Sequence, residues 1–420
     1  MLKKYKLRDL ISVTRGASLP GEYYSETGEY IRLTMGNFNY NGNGFKENTS
    51  KTDIYYTGPI REEFILKKGD IITPLTEQAI GLLGTTAMIP QSGKYIQSQD
   101  VALITCKDEK LDHLFCYYLI SSDIVKKQLS AAAQQTKIRH TSPDKIMDCT
   151  VWIPEMAVQQ RIGKALYDID KKIALNTRMS AELEAMAKQI YDYWFVQFDF
   201  PDENGTPYKS SGGKMVYNEE LKREIPEGWE VKTLSSILSF SNGINYEKGI
   251  DGDKTYRIIN VRNITSSTTF INKSELDIIS LPSSLADKYL ISEDDIIIAR
   301  SGTPGSTRLI DKPNDIIYCG FIIKGTPKHK HYKYFLMHYL KQLEGTGATK
   351  TGGSILQNVS QETLNSLMTV VPQESRLHLF NEIIESLYSL LNSNQTQTNY
   401  LTYLRDSLLP MLMNGQVTVE

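Results

Sequence analysis

Few side chains in this 420-residue chain stand at the spacings that chemistry requires. His329 and His331 flank Lys330 and offer two imidazoles. No Cys or acid accompanies them at ligand spacing, so no metal site is expected. His113 and Cys116 fall on one amphipathic run and read as rim and core rather than as a thiol–imidazole pair. A nuclease constellation could be assembled from Pro143-Asp144 and from Asp170 with Lys172. Its second half, however, lies in a long helical run with the charges facing outward. The stretch GTGATKTGG, Gly345 to Gly353, is glycine-rich but follows a helical run, whereas a nucleotide-binding loop follows a strand. Gly213-Lys214 lacks the upstream glycine and the hydroxyl of a phosphate-binding loop. No catalytic residue is assigned.

What the chain does carry is helical length. From Ile162, steps of four and three residues give Ile162, Leu166, Ile169, Ile173, Asn176, Ser180, Leu183, Ala187, Ile190 and Trp194. The intervening positions are mostly charged or amidated, and no Gly or Pro follows Gly163 before the run ends. That heptad seam predicts one long helix buried along an edge. At about 1.5 Å per residue it would measure roughly 55 Å. The pattern returns 218 residues later, the offset of Pro372 from Pro154, as Phe380, Ile384, Leu387, Leu391, Asn394, Thr398, Leu401, Arg405, Leu408 and Leu412. Asn176 falls on Asn394 and Ser180 on Thr398. The chain is therefore two copies of one unit, a globular segment followed by a long helix.

Composition fits a folded protein of two to four domains, with 40% hydrophobic residues and 25 tyrosines. No run approaches membrane-span length, and the N-terminal MLKKYKLRDLISV has no signal-peptide core. The four cysteines show no CxxC spacing and read as reduced core thiols. A net charge of −2 counts against nucleic-acid binding unless positive charge is local or partners supply it. In the first segment short β-rich runs (from Tyr30, Phe64, Thr85 and Tyr95) precede a helix from Leu111 and a polar loop. The second segment repeats that plan, with YRIINVRNI against YIRLTMGNF and IIIARSGTPGSTRLI against IITPL plus GTTAMI. The scaffold recurs while loop residues differ. The expected fold is α+β, with boundaries at 1–155, 156–198, 199–225 (an exposed connector with a small hairpin at most), 226–373 and 374–420.

The duplicated unit, the IPEGWEVKTLSSI opening at Ile225, the WIPEMAVQQRIGKALYDIDKKIALN stretch at Trp152 and the YLRDSLLPMLMNGQV tail at Tyr403 together resemble the specificity subunit of type I restriction-modification systems. The resemblance covers nearly the whole chain, although the first copy lacks the Gly-Trp opening. It implies two target-recognition domains alternating with two long helices paired as an antiparallel coiled coil. Each domain would read one half of a split double-stranded DNA site. Methyltransferase subunits, two by expectation, would dock on the helices and use S-adenosylmethionine to methylate adenine. A separate restriction and translocase subunit would use ATP and Mg. No cofactor is expected in this chain, and the location is expected to be cytoplasmic. The (N/D)PP(Y/F) tetrapeptide that a methylase of its own would need is absent. The competing readings are a coiled-coil adaptor for protein partners and a self-contained DNA-modifying enzyme.

On this reading Asn176 and Asn394 would meet at the helix crossing and set its register, since a slip would leave an amide unsatisfied in an apolar layer. Base-edge contacts should come from loop residues with hydrogen-bonding heads. In the first body the candidates are Arg15, Arg32, Asn37, Asn39, Tyr40, Gln78, Thr85, Lys137, Arg139 and His140. In the second they are Asn245, Tyr246, Arg262, Asn263, Arg300, Ser301, Thr303, Lys350, Gln357 and Asn358. Arg300 is the sharpest case, since a buried strand ends at Arg-Ser-Gly. Its competing reading is a surface ion pair with Asp294 or Asp295. Arginines are few in both bodies, so weak DNA binding by the chain alone is expected.

Overall fold

A computed structural model describes residues 2–39, 43–77, 81–107, 109–132, 139–246, 252–345 and 359–419. The first heptad run is one helix of 36 residues, Met156–Tyr191, closed by a π-helical turn, Asp192–Val196. The second is a helix of 40 residues, Glu374–Met413. Every seam position of both is buried or half-buried. Ion pairs four residues apart, such as Lys164–Asp168 and Arg178–Glu182, sit on the outer face of the first. Contacts divide the chain into two units, Met1–Ala174 with Tyr400–Glu420, and Leu175–Asn399. Each unit takes part of each long helix, so these units cut the chain differently from the five-part division expected from sequence.

In the first unit Arg161 Nε donates to the Val419 carbonyl (2.9 Å) and Arg405 Nη1 to Asp170 Oδ1 (2.9 Å). Numbers rise along one helix as they fall along the other, so the pair is antiparallel. Ile162 and Leu166 share a core with Leu412 and Met413, and the globular body adds Leu7, Leu10, Phe115 and Val151. In the second unit Asn176 Nδ2 donates to Gln397 Oε1 (2.7 Å), and the Trp194 and Phe380 rings lie 5.8 Å apart. The pairing is again antiparallel. Ala187, Tyr191 and Phe195 pack with Phe380, Ile384 and Leu391 and with Trp229, Phe335 and Val370 of the second body. At about 1.5–3 kcal/mol for each large side chain removed from water, this burial is what holds a helix of such length in place.

Two expectations are corrected here. Asn176 is fully buried, but it faces Gln397 rather than Asn394. Antiparallel packing opposes 170 with 405 and 176 with 397, which leaves Asn394 one turn away from the level of Asn176. Asn176 Oδ1 and Asn394 Nδ2 are both buried without a hydrogen-bond partner among the described residues, which costs stability at this polar layer. The connector does hold a hairpin, Met215–Asn218 with Arg223–Pro226, but it is not merely exposed. Phe198, Phe200 and Ile225 are buried, and Phe200 stacks on Tyr208 and Trp229. The sequence signal of Gly, Ser and charge hid these aromatic anchors.

The two globular bodies repeat one plan. A pair of strands beside the long helices opens and closes each, Lys3–Lys6 with Thr150–Ile153 and Glu230–Thr233 with Met368–Val371. Each has an antiparallel four-stranded sheet. The first is ordered Ile11–Arg15, Val101–Cys106, Ile71–Pro74, Ala87–Met88, and the second Leu238–Asn242, Ile322–Pro327, Ile296–Ala299, Thr307–Arg308. Each also has a distal sheet containing one parallel pair, Tyr30–Arg32 with Tyr95–Ile96 and Lys254–Ile259 with Ile316–Tyr318. A glycine recurs where backbones meet: a Cβ on Gly16 would lie 2.3 Å from the Ser98 carbonyl oxygen, and one on Gly243 2.1 Å from that of Cys319. Only glycine permits that approach.

Candidate nucleic-acid interface

In each body four loops leave one edge of these sheets and are tied together by backbone hydrogen bonds. In the first body they follow residues 15, 32, 74 and 96. Gly16 N–H donates to the Val101 carbonyl, Ala17 to Gln97, Leu33 to Ile96 and Leu75 to Asp100. In the second body they follow residues 242, 259, 299 and 318. There Gly243 donates to Ile322, Ile244 to Tyr318, Cys319 to Ile259 and Arg300 to Phe321. Three of the four bonds correspond, and Leu75 occupies the place of Arg300; between the parallel strands the donor is Leu33 in the first body and Cys319, the counterpart of Ser98, in the second. At matching loops the first body carries Leu75-Thr76 and Gln99-Asp100 where the second carries Arg300-Ser301 and Gly320-Phe321. One frame thus presents two different sets of donors, acceptors and apolar groups.

Several candidates sit on this edge. Arg300 is half-buried at the loop base, and its guanidinium has no ion-pair partner among the described residues. The competing reading fails: Asp295 is fully buried, accepts from Ser292 and Thr326 and pairs with Lys324 (3.5 Å), while Asp294 faces Lys330 and Lys333. Ser301 and Thr303 follow Arg300, and the Thr303 hydroxyl lies 3.3 Å from that of Thr265. Asn245 is exposed with its Oδ1 folded over Gly320, where an added Cβ would lie 1.9 Å away. Arg262 is exposed on the neighbouring short helix, Val261–Thr265, and pairs with Asp277. In the first body Arg15 is exposed and donates to the Gln99 carbonyl, and His140 is exposed opposite Thr76. Asn39 is exposed on a neighbouring turn.

Others are consumed by the fold. Asn37 is buried and makes a capping box with Thr34, its Nδ2 donating to the Lys46 carbonyl. Asn263 repeats this, capping with Asn260 and donating to Glu275. Arg32 is buried, donates twice to the Asp53 carbonyl and covers the Tyr24 ring at 3.8 Å. Thr85 is buried, and its carbonyl accepts from Thr73. Arg139 pairs with the buried Glu77 (3.1 Å), whose carboxylate also takes the N–H groups of Gly81, Leu82 and Leu83. Tyr246 packs half-buried against the distal core. Tyr40, Gln78, Lys137, Lys350, Gln357 and Asn358 lie outside the described residues.

Two residues on this edge escaped sequence reasoning. Lys51 is exposed and lines, with Arg32 and Gln99, a cleft of about 350 Å³. Its polar surroundings in the chain carry no periodic signal. Phe321 is 63% exposed beside Arg300. Within CGFIIK it reads as one more strand residue, and only the turn before the strand at Ile322 turns it outward.

The other motifs have structural explanations. Asp170 is bonded to Arg405 and to the Tyr118 hydroxyl (2.6 Å), not to a second acid. Cys116 is fully buried, and both a contact from Cys106 and burial push its thiol up, away from nucleophilic character. His331, by contrast, does gain an acid: Glu374 of the second long helix comes beside it, together with His378. No described helix is long and apolar enough to cross a membrane.

Comparison with known proteins places these features. The chain is 24% identical over 317 residues to the type I restriction enzyme MjaIX specificity subunit of Methanocaldococcus jannaschii, covering 73% of this chain and 69% of that one. It is 23% identical over 335 residues to the HindI specificity subunit of Haemophilus influenzae, covering 65% and 70% respectively. Its fold is similar to the crystal structure of a type I restriction-modification S subunit from M. genitalium, with a TM-score of 0.63 at 17% identity over 98% of this chain and 96% of that one. The family model described as the type I restriction modification DNA specificity domain matches twice, over residues 2–185 and 226–402. Two matches, one for each copy of the repeat, show that the chain belongs to the type I restriction-modification DNA specificity family.

Proposed function

We propose that this chain is the non-catalytic, sequence-reading subunit of a type I restriction-modification complex. Each globular body presents its four-loop edge to one half of a bipartite double-stranded DNA site. The long helices hold the bodies and receive adenine-N6 methyltransferase subunits, with a restriction and translocase subunit joining them in the cytoplasm. Chemistry belongs to the partners, which bring S-adenosylmethionine, ATP and Mg. The observation that carries this reading is the duplicated edge, built on matching backbone bonds yet presenting Leu75-Thr76 in one copy and Arg300-Ser301 in the other. Similar folds with different edge chemistry suit a split, asymmetric sequence.

A docking face is supported by Leu175, Met179, Met186 and Tyr193, which lie within about 40° of one another around the first helix and are all exposed. The test is to map methylated adenines in cells expressing this chain with its methyltransferase. A bipartite motif is expected, and replacing residues 226–373 by the corresponding segment of another family member should change one half of it only. Motif-independent methylation, or a swap that alters both halves, would sink the reading. Met179→Asp with Met186→Asp should abolish co-purification of the methyltransferase while leaving the fold intact.

A further inference from the structure

The second unit brings His331 beside Glu374 and His378, which lie well over thirty residues further along the chain, so that three side chains able to ligate a metal meet. His331 lies in the turn before the helix Lys333–Gln342, and Glu374 and His378 are one turn apart at the start of the second long helix. His331 Nδ1 is 3.2 Å from Glu374 Oε1, and His378 Nε2 is 3.3 Å from the same oxygen. All three ligand atoms fall within 4.8 Å of one another. Two ligands about 2.0–2.2 Å from one tetrahedral Zn ion stand roughly 3.3–3.5 Å apart, so two of the three edges are already near ligand spacing. Closing the third needs a shift of His378, whose side chain is 61% exposed.

His331 is the fixed member. Its side chain is 14% exposed, its ring meets the edge of Tyr332 at 4.4 Å, and its carbonyl accepts from Asn381 Nδ2 (3.0 Å). The neighbouring cations Lys330 and Lys333 are drawn toward Asp294. His329, stacked on His331 with ring centroids 5.3 Å apart, is a further imidazole in reach.

We propose that His331, Glu374 and His378 bind one divalent transition-metal ion of the Zn type, with His329 or water as the fourth ligand. A mixed imidazole and carboxylate set suits Zn, Co or Ni over Mg or Ca, which favour all-oxygen shells. The ion would clip the turn at 329–332 to the base of the second long helix. The proposal is independent of which DNA the protein reads.

The full chain, freed of any polyhistidine tag and treated with chelator, is titrated with Co2+ and then with Zn2+. One Co2+ per chain with the absorption of a tetrahedral site is expected, displaced by Zn2+, together with a rise in Tm on adding Zn2+. His378→Ala and Glu374→Gln change exposed side chains, so the metal-free Tm should stay near that of the unmodified chain. Each should weaken Co2+ binding by about 100-fold or more and remove the Zn2+-dependent rise. Absence of saturable one-to-one binding, or undiminished binding by both variants, would overturn the proposal.

Discussion

At the residue scale, polar side chains with the same sequence credentials have opposite fates. Asn263 is spent inside its capping box, whereas Arg300 keeps its guanidinium clear of any described acid. Asn263→Ala should therefore cost about 1–3 kcal/mol of stability by losing a cap and orphaning buried backbone groups, readable by urea unfolding. Arg300→Ala should leave stability within about 0.5 kcal/mol and instead relax or abolish recognition of one half-site in methylation mapping. A reversed outcome would exchange their roles. His338 offers a separate test. It is buried, hydrogen-bonded to the Tyr388 hydroxyl (2.9 Å) and stacked on Tyr191. Burial foremost, then Lys341 and Lys188, pushes its pKa down to about 3. An unfolded histidine titrates near 6.5. As pH falls from about 6.5 to about 3 the unfolded chain takes a proton that the folded chain refuses, so stability is lost across that window. Above it the group contributes no pH dependence. Between pH 7 and pH 5 this one group should account for a loss of about 2 kcal/mol, and His338→Phe should remove that share of the slope.

At the element scale, the helix pair tolerates charge in its seam where the opposite helix answers it. Arg405 sits at a seam position that the heptad reserves for an apolar residue. Its side chain is only 11% exposed, yet it meets Asp170, whose other oxygen is held by Tyr118. Arg405→Met should destabilise by about 3 kcal/mol because Asp170 is left half-buried without its cation. Adding Asp170→Asn should recover part of that loss, and a double-mutant cycle by thermal unfolding measures the coupling. Strictly additive effects would mean the pair contributes nothing. The Asn176 layer behaves differently, since one amide atom on each of Asn176 and Asn394 stays unsatisfied. Such a layer costs stability while marking register, the use best attested for polar residues in coiled coils.

At the scale of the whole molecule, the arginines of the globular bodies are mostly engaged. Arg8, Arg32, Arg61, Arg139, Arg262 and Arg308 all pair with carboxylates, and the chain carries a net charge of −2. Few free arginines in the bodies, on a chain without net positive charge, mean few phosphate clamps and few counterions released from DNA. The isolated chain is therefore expected to bind its site weakly, with a shallow dependence of log affinity on log salt, and the assembled complex should show a clearly steeper slope. Equal slopes in fluorescence anisotropy titrations would show that this chain already makes most phosphate contacts.

The amino-acid sequence by itself determined the long helices, the repeat and the alternation of body and helix. These follow from periodicity and self-similarity, which are properties of neighbouring residues. Helices beginning at Met156 and Glu374 needed no tertiary knowledge beyond a seam and the preceding proline. Which polar residues remain available for a ligand was a matter for the tertiary structure alone. Arg139 is occupied because Glu77, 62 positions earlier, is buried beside it, and Asn37 because Lys46 offers a carbonyl. The same holds for His331, which gains Glu374 and His378 only when the chain folds back. Hydrogen bonds and metal geometry are set within a few ångströms, and no spacing along the chain records which distant residues will close to that range.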